Sequence, residues 1–450
     1  MLEMKNIIRN VIIIFLIINL TGCSLPTAPT NLIKPPLADA SNLELKRTIE
    51  KFLPFNARLT MPTSLERSAK TFYLKDLTQN GQEEIIAFYK IDNSFSLGIL
   101  VLAKDSNDKW NQMQLIEHYG DDINLVKFID ITGDDKPELL VGLEGGSSLD
   151  NQLFIYSFTA NKYREIANIS YSNFTYGDID GDGLPEIVIN KNTRQKDIPI
   201  TVLEVYKHSG EGLDLIYNID FDGYAGEILL GQAKSAIKGI FNEVYLGAHS
   251  AATHLIVREG GEFVEVFAQN PDIEMGFKPY PLPSKDVNDD GIIEMGIHKA
   301  PANTEHLAMV EIPWVEEWYQ WDGEDGLIWL SQVYADYDNS FQWHIPADWL
   351  NKYTLTRENS ENSSLVEFYD LTEHGHLVFS LLAIDTESWE AEKERLEHKD
   401  SDYLLLGENK LLAKIYIAIM PEPKTCRCLK PLNIDLGEIK AGFRMLNEFS

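Results

Sequence analysis

The sequence predicts a mainly β protein: a β-propeller of four-stranded blades followed by a small α+β C-terminal domain. Three observations support this. An acidic nine-residue pattern occurs four times, the copies begin 54, 48 and 108 residues apart, and each copy runs directly into an apolar segment of β type. A regular period of this length is typical of repeat arrays, and four-stranded sheets packed around an axis can bury both of their faces.

The N-terminal residues predict a location outside the cytosol. Lys5 and Arg9 precede an apolar run over residues 11–20 that is too short to span a bilayer. The run ends in Leu20-Thr-Gly-Cys23, which resembles the lipobox of bacterial lipoproteins. That resemblance implies that residues 1–22 are a signal peptide and that Cys23 carries the lipid, which anchors the chain to the extracytoplasmic face of a bacterial cell membrane. The alternative is a plain secretory signal with an incidental Cys.

A tether and a short helix follow the predicted anchor. Residues 23–40 contain four prolines and no apolar periodicity, so we expect a semi-extended tether after Cys23. Ser41 and Glu44 have the spacing of a capping box and predict a helix that ends before Pro54. Its apolar face would consist of Leu45, Ile49 and Phe52.

The four acidic loops are the main candidate sites. Positions 1, 3, 5 and 9 of each loop carry oxygen side chains, which Ca²⁺ prefers as ligands. The predicted ligands are Asp76, Thr78, Asn80 and Glu84 in the first loop, Asp130, Thr132, Asp134 and Glu138 in the second, Asp178, Asp180, Asp182 and Glu186 in the third, and Asp286, Asn288, Asp290 and Glu294 in the fourth. Up to four structural calcium ions are therefore expected. Ordinary Asx-type turns between strands are the alternative.

The repeating unit is interpreted as a four-stranded sheet. In the first unit, the expected strands cover residues 84–89, 96–103, 111–118 and 123–128. A fifth, degenerate unit lies midway along the longest interval, where Glu243 precedes apolar residues but the oxygen ligands before it are missing. Residues 58–73 are expected to close the ring by pairing with the last blade.

The loop pattern with its following apolar strand resembles the FG-GAP/VCBS repeats of integrin α N-terminal propellers and many bacterial surface proteins. The resemblance covers roughly residues 60–340 and implies a calcium-loop propeller over residues 41–341, with calcium ligands at the sixteen positions named above. Three features depart from the family. Position 9 is Glu where Asp is common, the FG and GAP dipeptides are largely missing, and five units are found where integrin-type propellers have seven blades.

The repeat stops near residue 342, and residues 342–450 are predicted to form an α+β domain. Strands are expected at residues 364–369, 376–383 and 411–419, with helices at residues 387–400 and 437–449. The pattern of Ile-Pro-x-x-Trp, Trp389 and Tyr403 resembles C-terminal domains that follow such propellers in Gram-positive lipoproteins. This resemblance implies no activity.

Composition limits the partners. The formal net charge is −31 and 44% of the residues are hydrophobic, enough for two domains. So acidic a surface repels nucleic acid and anionic glycopolymers, and we therefore predict no nucleic-acid binding.

Other residues that could carry chemistry have simpler interpretations. Cys426 and Cys428 are interpreted as an exposed or locally bridged pair. The histidine pairs His374/His376 and His249/His254 are interpreted as surface, rim or packing residues. The aromatic cluster of Trp314, Trp318, Tyr319, Trp321 and Trp329 suits sugar stacking, but blade core is the favoured interpretation. The sequence contains no nucleophile elbow, P-loop or zinc-protease motif, so no catalytic residue is predicted.

These features together predict a membrane-anchored binding or scaffold module for a surface protein or glycan. A calcium-dependent carbohydrate-active enzyme, either a polysaccharide lyase or a hydrolase, is the alternative. A third hypothesis is an envelope-assembly factor that works through its C-terminal domain.

Overall fold

The computed structural model describes residues 40–63, 69–92, 94–146, 150–267, 276–372, 375–399, 402–421 and 432–446. Cys23, the predicted leader, almost all of the predicted tether, and the Cys426/Cys428 pair lie outside these ranges. The protein is mainly β, and it divides into two compact units, Met1–Gly120 and Asp121–Ser450. Within the described ranges, none of the helices has the length and apolarity needed to cross a bilayer.

In the described residues of the first unit, one helix packs on one antiparallel sheet. Its elements are α1 (Ala40–Glu50), β1 (Ala57–Leu59), β2 (Phe72–Lys75), β3 (Glu84–Ile91), β4 (Ser96–Lys104) and β5 (Trp110–Tyr119). Ile49 of α1 is fully buried in a core with Ile85 and Leu100 of the sheet, as the predicted apolar face of the helix requires. Both β1 and β2 pair with β3, so the expected pairing of residues 58–73 with the last blade was wrong.

The second unit begins with three sheets whose strands follow one another in sequence order. The second sheet contains β6 (Asp122–Ile129), β7 (Glu138–Glu144), β8 (Asn151–Thr159) and β9 (Lys162–Tyr171). The third contains β10 (Asn173–Gly177), β11 (Glu186–Gln195), β12 (Ile198–Ser209) and β13 (Gly212–Asp222). The fourth contains β14 (Tyr224–Lys234), β15 (Ile237–Tyr245), β16 (Ala251–Glu259) and β17 (Glu262–Glu265), with β18 (Phe277–Lys278) also paired to β16.

Two five-stranded sheets complete this unit. The fifth sheet has the order β19 (Met295–Lys299), β20 (Val315–Trp321), β21 (Leu327–Asp336), β22 (Phe341–Ile345) and β28 (Phe443–Met445). The sixth has the order β23 (Tyr353–Asn359), β24 (Ser363–Asp370), β25 (Leu377–Asp385), β27 (Lys414–Ile419) and β26 (Tyr403–Asn409). The helices are α2 (Trp389–His398) and α3 (Leu436–Gly442), with short 3-10 turns at Ala347–Trp349 and Thr386–Ser388.

Apolar side chains join each sheet of the second unit to the next. Leu140 of the second sheet shares a core with Ile187 of the third, and Val188 on the other face of that strand shares one with Ile240 of the fourth. The fourth sheet meets the fifth through Phe241 and Trp321 in the same way. The central strands of the third and fourth sheets are therefore buried on both faces, which explains their continuous apolar runs.

The second and third acidic loops connect the first and second strands of their sheets, the first loop connects β2 to β3, and the fourth loop ends directly before β19, the first strand of the fifth sheet. The segment at residues 123–128, expected as the fourth strand of the first unit, is instead β6 and pairs with β7 of the next sheet. The fourth sheet has no acidic loop, because β14 and β15 are joined by a tight turn in which Ala236 has φ of 64°. Glu243 accordingly lies near the end of β15 and does not start a strand.

The C-terminal region confirms most of the predicted elements and changes one. The strands predicted at residues 364–369, 376–383 and 411–419 correspond to β24, β25 and β27, and the helix at residues 387–400 corresponds to α2. The helix predicted at residues 437–449 was wrong at residues 443–445, because α3 ends at Gly442 and the chain continues as β28, which pairs with β22. Residues 447–449 lie outside the described ranges. The predicted domain boundary between residues 341 and 342 falls within β22.

Candidate metal centres

The four acidic loops share one backbone conformation. Positions 4 and 6 lie in the left-handed region in every copy. The φ angles are 56° and 84° at Gln79 and Gly81, 78° and 63° at Gly133 and Asp135, 82° and 91° at Gly181 and Gly183, and 61° and 84° at Asp289 and Gly291. Glycine or a short polar residue at these positions limits the steric cost. Position 6 was predicted from the sequence, but position 4 was not.

The position 9 glutamates join the end of each loop to its beginning. Each is at most 3% exposed and accepts a hydrogen bond on Oε2 from the backbone N–H of position 2. The four N–O distances are 2.8 Å for Leu77–Glu84, 2.9 Å for Ile131–Glu138, 2.8 Å for Ile179–Glu186 and 2.8 Å for Val287–Glu294. These glutamates therefore have a structural role whether or not a metal is bound, and Oε1 is the oxygen that this bond leaves unused.

Asx-type hydrogen bonds are also present, as the alternative interpretation predicted. At position 5, the side chains of Asn80, Asp134, Asp182 and Asp290 each accept a hydrogen bond from the backbone N–H two residues later, at 2.7–2.9 Å. Each of these side chains has a second lone pair or oxygen that this bond does not use. The turn and the metal interpretations are thus compatible. The loops differ in what contacts the side-chain oxygens that the turn does not use.

In the first two loops a threonine engages the free glutamate oxygen. The Thr78 hydroxyl lies 3.4 Å from Glu84 Oε1, and the Thr132 hydroxyl lies 3.3 Å from Glu138 Oε1. Burial raises the pKa of Glu138, although hydrogen bonds from Ile131 and other neighbours act in the opposite direction. No group of three carboxylates converges in either loop, both of which lie wholly within the described residues.

The third loop brings Asp178, Asp180 and Glu186 together, with one oxygen of each within 4.8 Å of the others. Cations of the protein itself surround this group. The Lys207 ammonium contacts Asp180 and lies 2.7 Å from Asp182 Oδ2 and 3.4 Å from Glu186 Oε1.

Two more cations reach the third loop from the fourth sheet. Arg258 lies 2.7 Å from Asp180 Oδ2, and Lys238 lies 3.1 Å from Asp178 Oδ2. Burial acts against the charge on Lys207, but hydrogen bonds to Asp180 and Asp182 outweigh it and raise the pKa of Lys207. Three cations thus face the four ligand carboxylates of this loop.

The fourth loop brings together Asp286, Asp290 and Glu294 in the same way, but without cations. Gln320 occupies the place of Lys207, and its Nε2 donates to Asp290 Oδ2 at 3.0 Å and to Glu294 Oε1 at 2.6 Å. Within the ranges that the structure describes, no Lys or Arg forms an ion pair with these three carboxylates. Burial raises the pKa of Glu294, and the neighbouring Asp290 and Asp286 raise it further. The three ligand charges of this loop therefore face no cation of the chain.

Sequence reasoning missed Lys207, Arg258 and Gln320, which come from other strands. Lys207 and Gln320 stand opposite the position 9 glutamates on the next strand, where the second loop has Ser157. The residue opposite position 9 lies on the strand that follows the next hairpin turn. Because these hairpins differ in length, its distance from the loop in sequence is not constant, and the sequence alone did not identify it. Arg258 comes from the neighbouring sheet and has no local signal.

Of the histidines and tryptophans considered in the sequence analysis, some pack in the core and others line cavities. His254 stacks on Phe221 with ring centroids 3.9 Å apart, as a packing residue would. His376 Nδ1 lies 3.2 Å from Oδ2 of the buried Asp370, a carboxylate that sequence spacing did not identify, whereas His374 lies outside the described residues. Trp318 and Trp321 are buried in the core, but Trp314 and Trp329 line two separate cavities.

Comparison with known proteins gives no family. No protein-family model matches the chain, and no curated protein matches it. Among solved structures, the crystal structure of a protein from Lactobacillus plantarum aligns over 70% of this chain and 82% of its own, with 10% sequence identity and a TM-score of 0.27. A likeness at this level carries no argument about fold or function.

Proposed function

We propose that this protein is an extracytoplasmic, lipid-anchored scaffold whose acidic loops hold structural calcium on an FG-GAP/VCBS-type propeller and which binds a protein or glycan at the cell surface. The observation that carries the proposal is the fourth loop, where three carboxylates converge and no Lys or Arg of the described residues forms an ion pair with them. Like charges at this distance repel one another, and a divalent cation would turn that repulsion into attraction.

Calcium is the metal that this donor set favours. The side chains facing the fourth loop offer only oxygen and amide groups, with no imidazole or thiolate among the converging ligands. Hard oxygen ligands select Ca²⁺ or Mg²⁺, and carboxylates on a flexible loop suit the looser geometry of Ca²⁺. The proposed role of the ion is stabilisation of the sheet that follows the loop.

The propeller interpretation draws support from the repeated sheets. The second, third and fourth sheets share one strand order, and successive sheets pack face to face through shared apolar cores. The second and third acidic loops also occupy the same place, between the first and second strands of their sheets. The lipid anchor and the extracytoplasmic location rest on the sequence around Cys23 alone.

Calcium-dependent melting tests this proposal. A purified chain beginning at Ser24 should melt at a higher temperature in about 1 mM CaCl₂ than in EGTA. A site with Kd of about 0.1 mM contributes roughly 1.4 kcal/mol at this concentration, which corresponds to an increase in Tm of about 3 °C. The substitution Glu294→Gln should remove the largest part of the calcium response, and Glu84→Gln in the first loop, where no three carboxylates converge, is the matched control that should keep most of it. Identical melting of the unsubstituted chain in calcium and in EGTA would refute the proposal.

A further inference from the structure

A cavity of about 780 Å³ lies in the second unit, within the range of about 300–1,000 Å³ that is usual for ligand pockets. It is remote in sequence from the first three acidic loops. Its walls come from several elements: Tyr280 precedes the fourth loop, His298 lies on β19, Glu316 on β20 and Arg357 on β23. Trp314 stands immediately before β20.

Aromatic rings form one side of this cavity. The rings of Tyr280 and His249 are nearly parallel with centroids 6.2 Å apart, and Tyr280 meets His298 edge to face at 5.8 Å. His298 in turn meets Trp314 edge to face at 6.1 Å. The Trp314 indole N–H donates to the Met309 carbonyl oxygen at 3.1 Å, which fixes the orientation of its ring. Tyr280 nevertheless remains 43% exposed, so ring surface held in place by neighbours faces the cavity opening.

Hydrogen-bond donors and acceptors both line the cavity beside the rings. Glu316 is only 3% exposed and accepts a hydrogen bond from the Tyr337 hydroxyl. His298 Nδ1 lies 3.2 Å from the Tyr280 carbonyl oxygen, to which it must donate. Burial lowers the pKa of His298, so the ring is neutral near pH 7 and its Nε2 is an acceptor. The Arg357 guanidinium supplies donors and itself donates to the Val310 carbonyl oxygen at 3.2 Å.

We propose that this cavity binds a neutral saccharide ring, with the pyranose face on Trp314 and Tyr280 and the hydroxyls on Glu316 and Arg357. The proposal rests on the proposed function, since it selects the glycan from the two ligand classes given there. A sugar hydroxyl both donates and accepts, so it can use the carboxylate and the guanidinium together. The apolar C–H face of the ring suits an aromatic surface.

Other ligand classes fit this cavity less well. Glu316 and Asp338 both line it and would repel an anionic sugar, in line with the acidity of the whole chain. A quaternary ammonium would suit the rings and the carboxylates, but it has no hydrogen-bond acceptor and would leave the donors of Arg357 unused. A purely apolar ligand would bury Glu316 and Arg357 without new hydrogen bonds, which is costly.

The test is titration of the full chain, purified in detergent, with cello-, malto- and chito-oligosaccharides, followed by calorimetry and intrinsic tryptophan fluorescence. Oligogalacturonate and phosphocholine serve as the anionic and cationic comparisons. We expect one of the neutral series to bind and to perturb the tryptophan emission. Tyr280→Ala and Glu316→Gln should each weaken that binding at least tenfold, and Trp314→Phe should reduce both the affinity and the fluorescence change.

Trp329→Phe is the matched control, because Trp329 lines a different cavity and its buried indole N–H has no hydrogen-bond partner in the described structure. This variant should bind as the unsubstituted chain does. Melting temperatures of all variants separate lost binding from lost folding, and Tyr280→Ala, at a half-exposed side chain, is the safest of them. Binding of only the anionic or cationic probe, binding of no probe, or undiminished binding by Tyr280→Ala and Trp314→Phe would overturn the proposal.

The calcium proposal and the saccharide proposal can be refuted independently of each other. Melting of the same sample in calcium and in EGTA reports on the acidic loops, whereas the titrations report on the cavity. A chain that is indifferent to calcium but binds a neutral oligosaccharide refutes the metal proposal and leaves the saccharide proposal standing. A chain that responds to calcium but binds no neutral oligosaccharide refutes the saccharide proposal and leaves the metal proposal standing.

Discussion

The side chain opposite the position 9 glutamate differs between the third acidic loop and the fourth. Lys207 and Gln320 occupy equivalent places, yet Lys207 brings a positive charge to Asp180 and Asp182, while Gln320 brings only an amide to Asp290 and Glu294. An ammonium and a divalent cation compete for the same oxygens. The loop with more carboxylates is therefore the weaker candidate for metal.

Exchange of these two residues tests this competition. Lys207→Gln should add a calcium site at the third loop, because its four carboxylates would then face two cations where they now face three. Gln320→Lys should abolish binding at the fourth loop. Calorimetric stoichiometry measures both effects, and the two variants serve as reciprocal controls. Unchanged stoichiometry in both variants would show that neither side chain controls metal access.

The sequence predicted the residues of the loops better than their partners. Position 9 could be assigned because Glu recurs there four times, but its bond to the backbone of position 2 follows from a chain reversal that no residue type indicates alone. Arg258 could not be predicted as a neighbour of Asp180, because it lies on another sheet. Such contacts depend on how sheets pack, and that information is spread over the whole chain.

At the scale of the element, two left-handed residues set the conformation of each acidic loop. Gly291 has φ of 84°, and no atom lies within 4 Å of the place where a Cβ would stand. Gly291→Ala should therefore destabilise the protein by roughly 1–2 kcal/mol through backbone strain alone. Denaturant unfolding at fixed calcium measures the loss.

Gly247→Ala is the matched control for that substitution. Gly247 has no left-handed φ, and its nearest neighbour to an added Cβ is Ser250 Oγ at 3.9 Å. This variant should be neutral within about 0.5 kcal/mol. Equal losses at the two glycines would contradict the idea that position 6 needs a left-handed residue.

The extent of a strand was easier to predict than its pairing. Residues 84–89, 96–103 and 111–118 were predicted and correspond to β3, β4 and β5, because alternation and turn residues are local signals. Residues 123–128 also form a strand, yet they belong to the next sheet. The boundary between the two compact units falls between Gly120 and Asp121, which connect β5 to β6. A two-residue connection alone does not show whether the next strand pairs with the preceding one or starts a new sheet.

At the scale of the whole molecule, the C-terminal strand contributes to a core built from far earlier residues. Phe443 of β28 stacks on Phe341 of β22 with ring centroids 5.6 Å apart, beside the fully buried Trp343. Phe443→Ala should destabilise the second unit by about 3–5 kcal/mol, because it leaves a cavity among aromatic rings. Chemical unfolding followed by tryptophan fluorescence would measure this.

Met445 provides the control on the same strand, since it is 44% exposed. Met445→Ala should change the free energy of unfolding by about 0.5 kcal/mol or less. If Phe443→Ala were equally mild, β28 would not be an integral part of the fifth sheet. The sequence predicted a helix for this segment because Ile439 and Phe443 have helical spacing, and only tertiary pairing with β22 makes residues 443–445 extended.

The bond between the Trp343 indole and the Ile439 carbonyl oxygen joins residues 96 positions apart. While a ribosome is still adding that intervening stretch, β22 has an open edge whose N–H and C=O groups can pair with any extended chain nearby. Maturation of this sheet must therefore wait until synthesis has passed residue 445. A nascent chain stalled before that point would be a substrate for chaperones or a seed for aggregation.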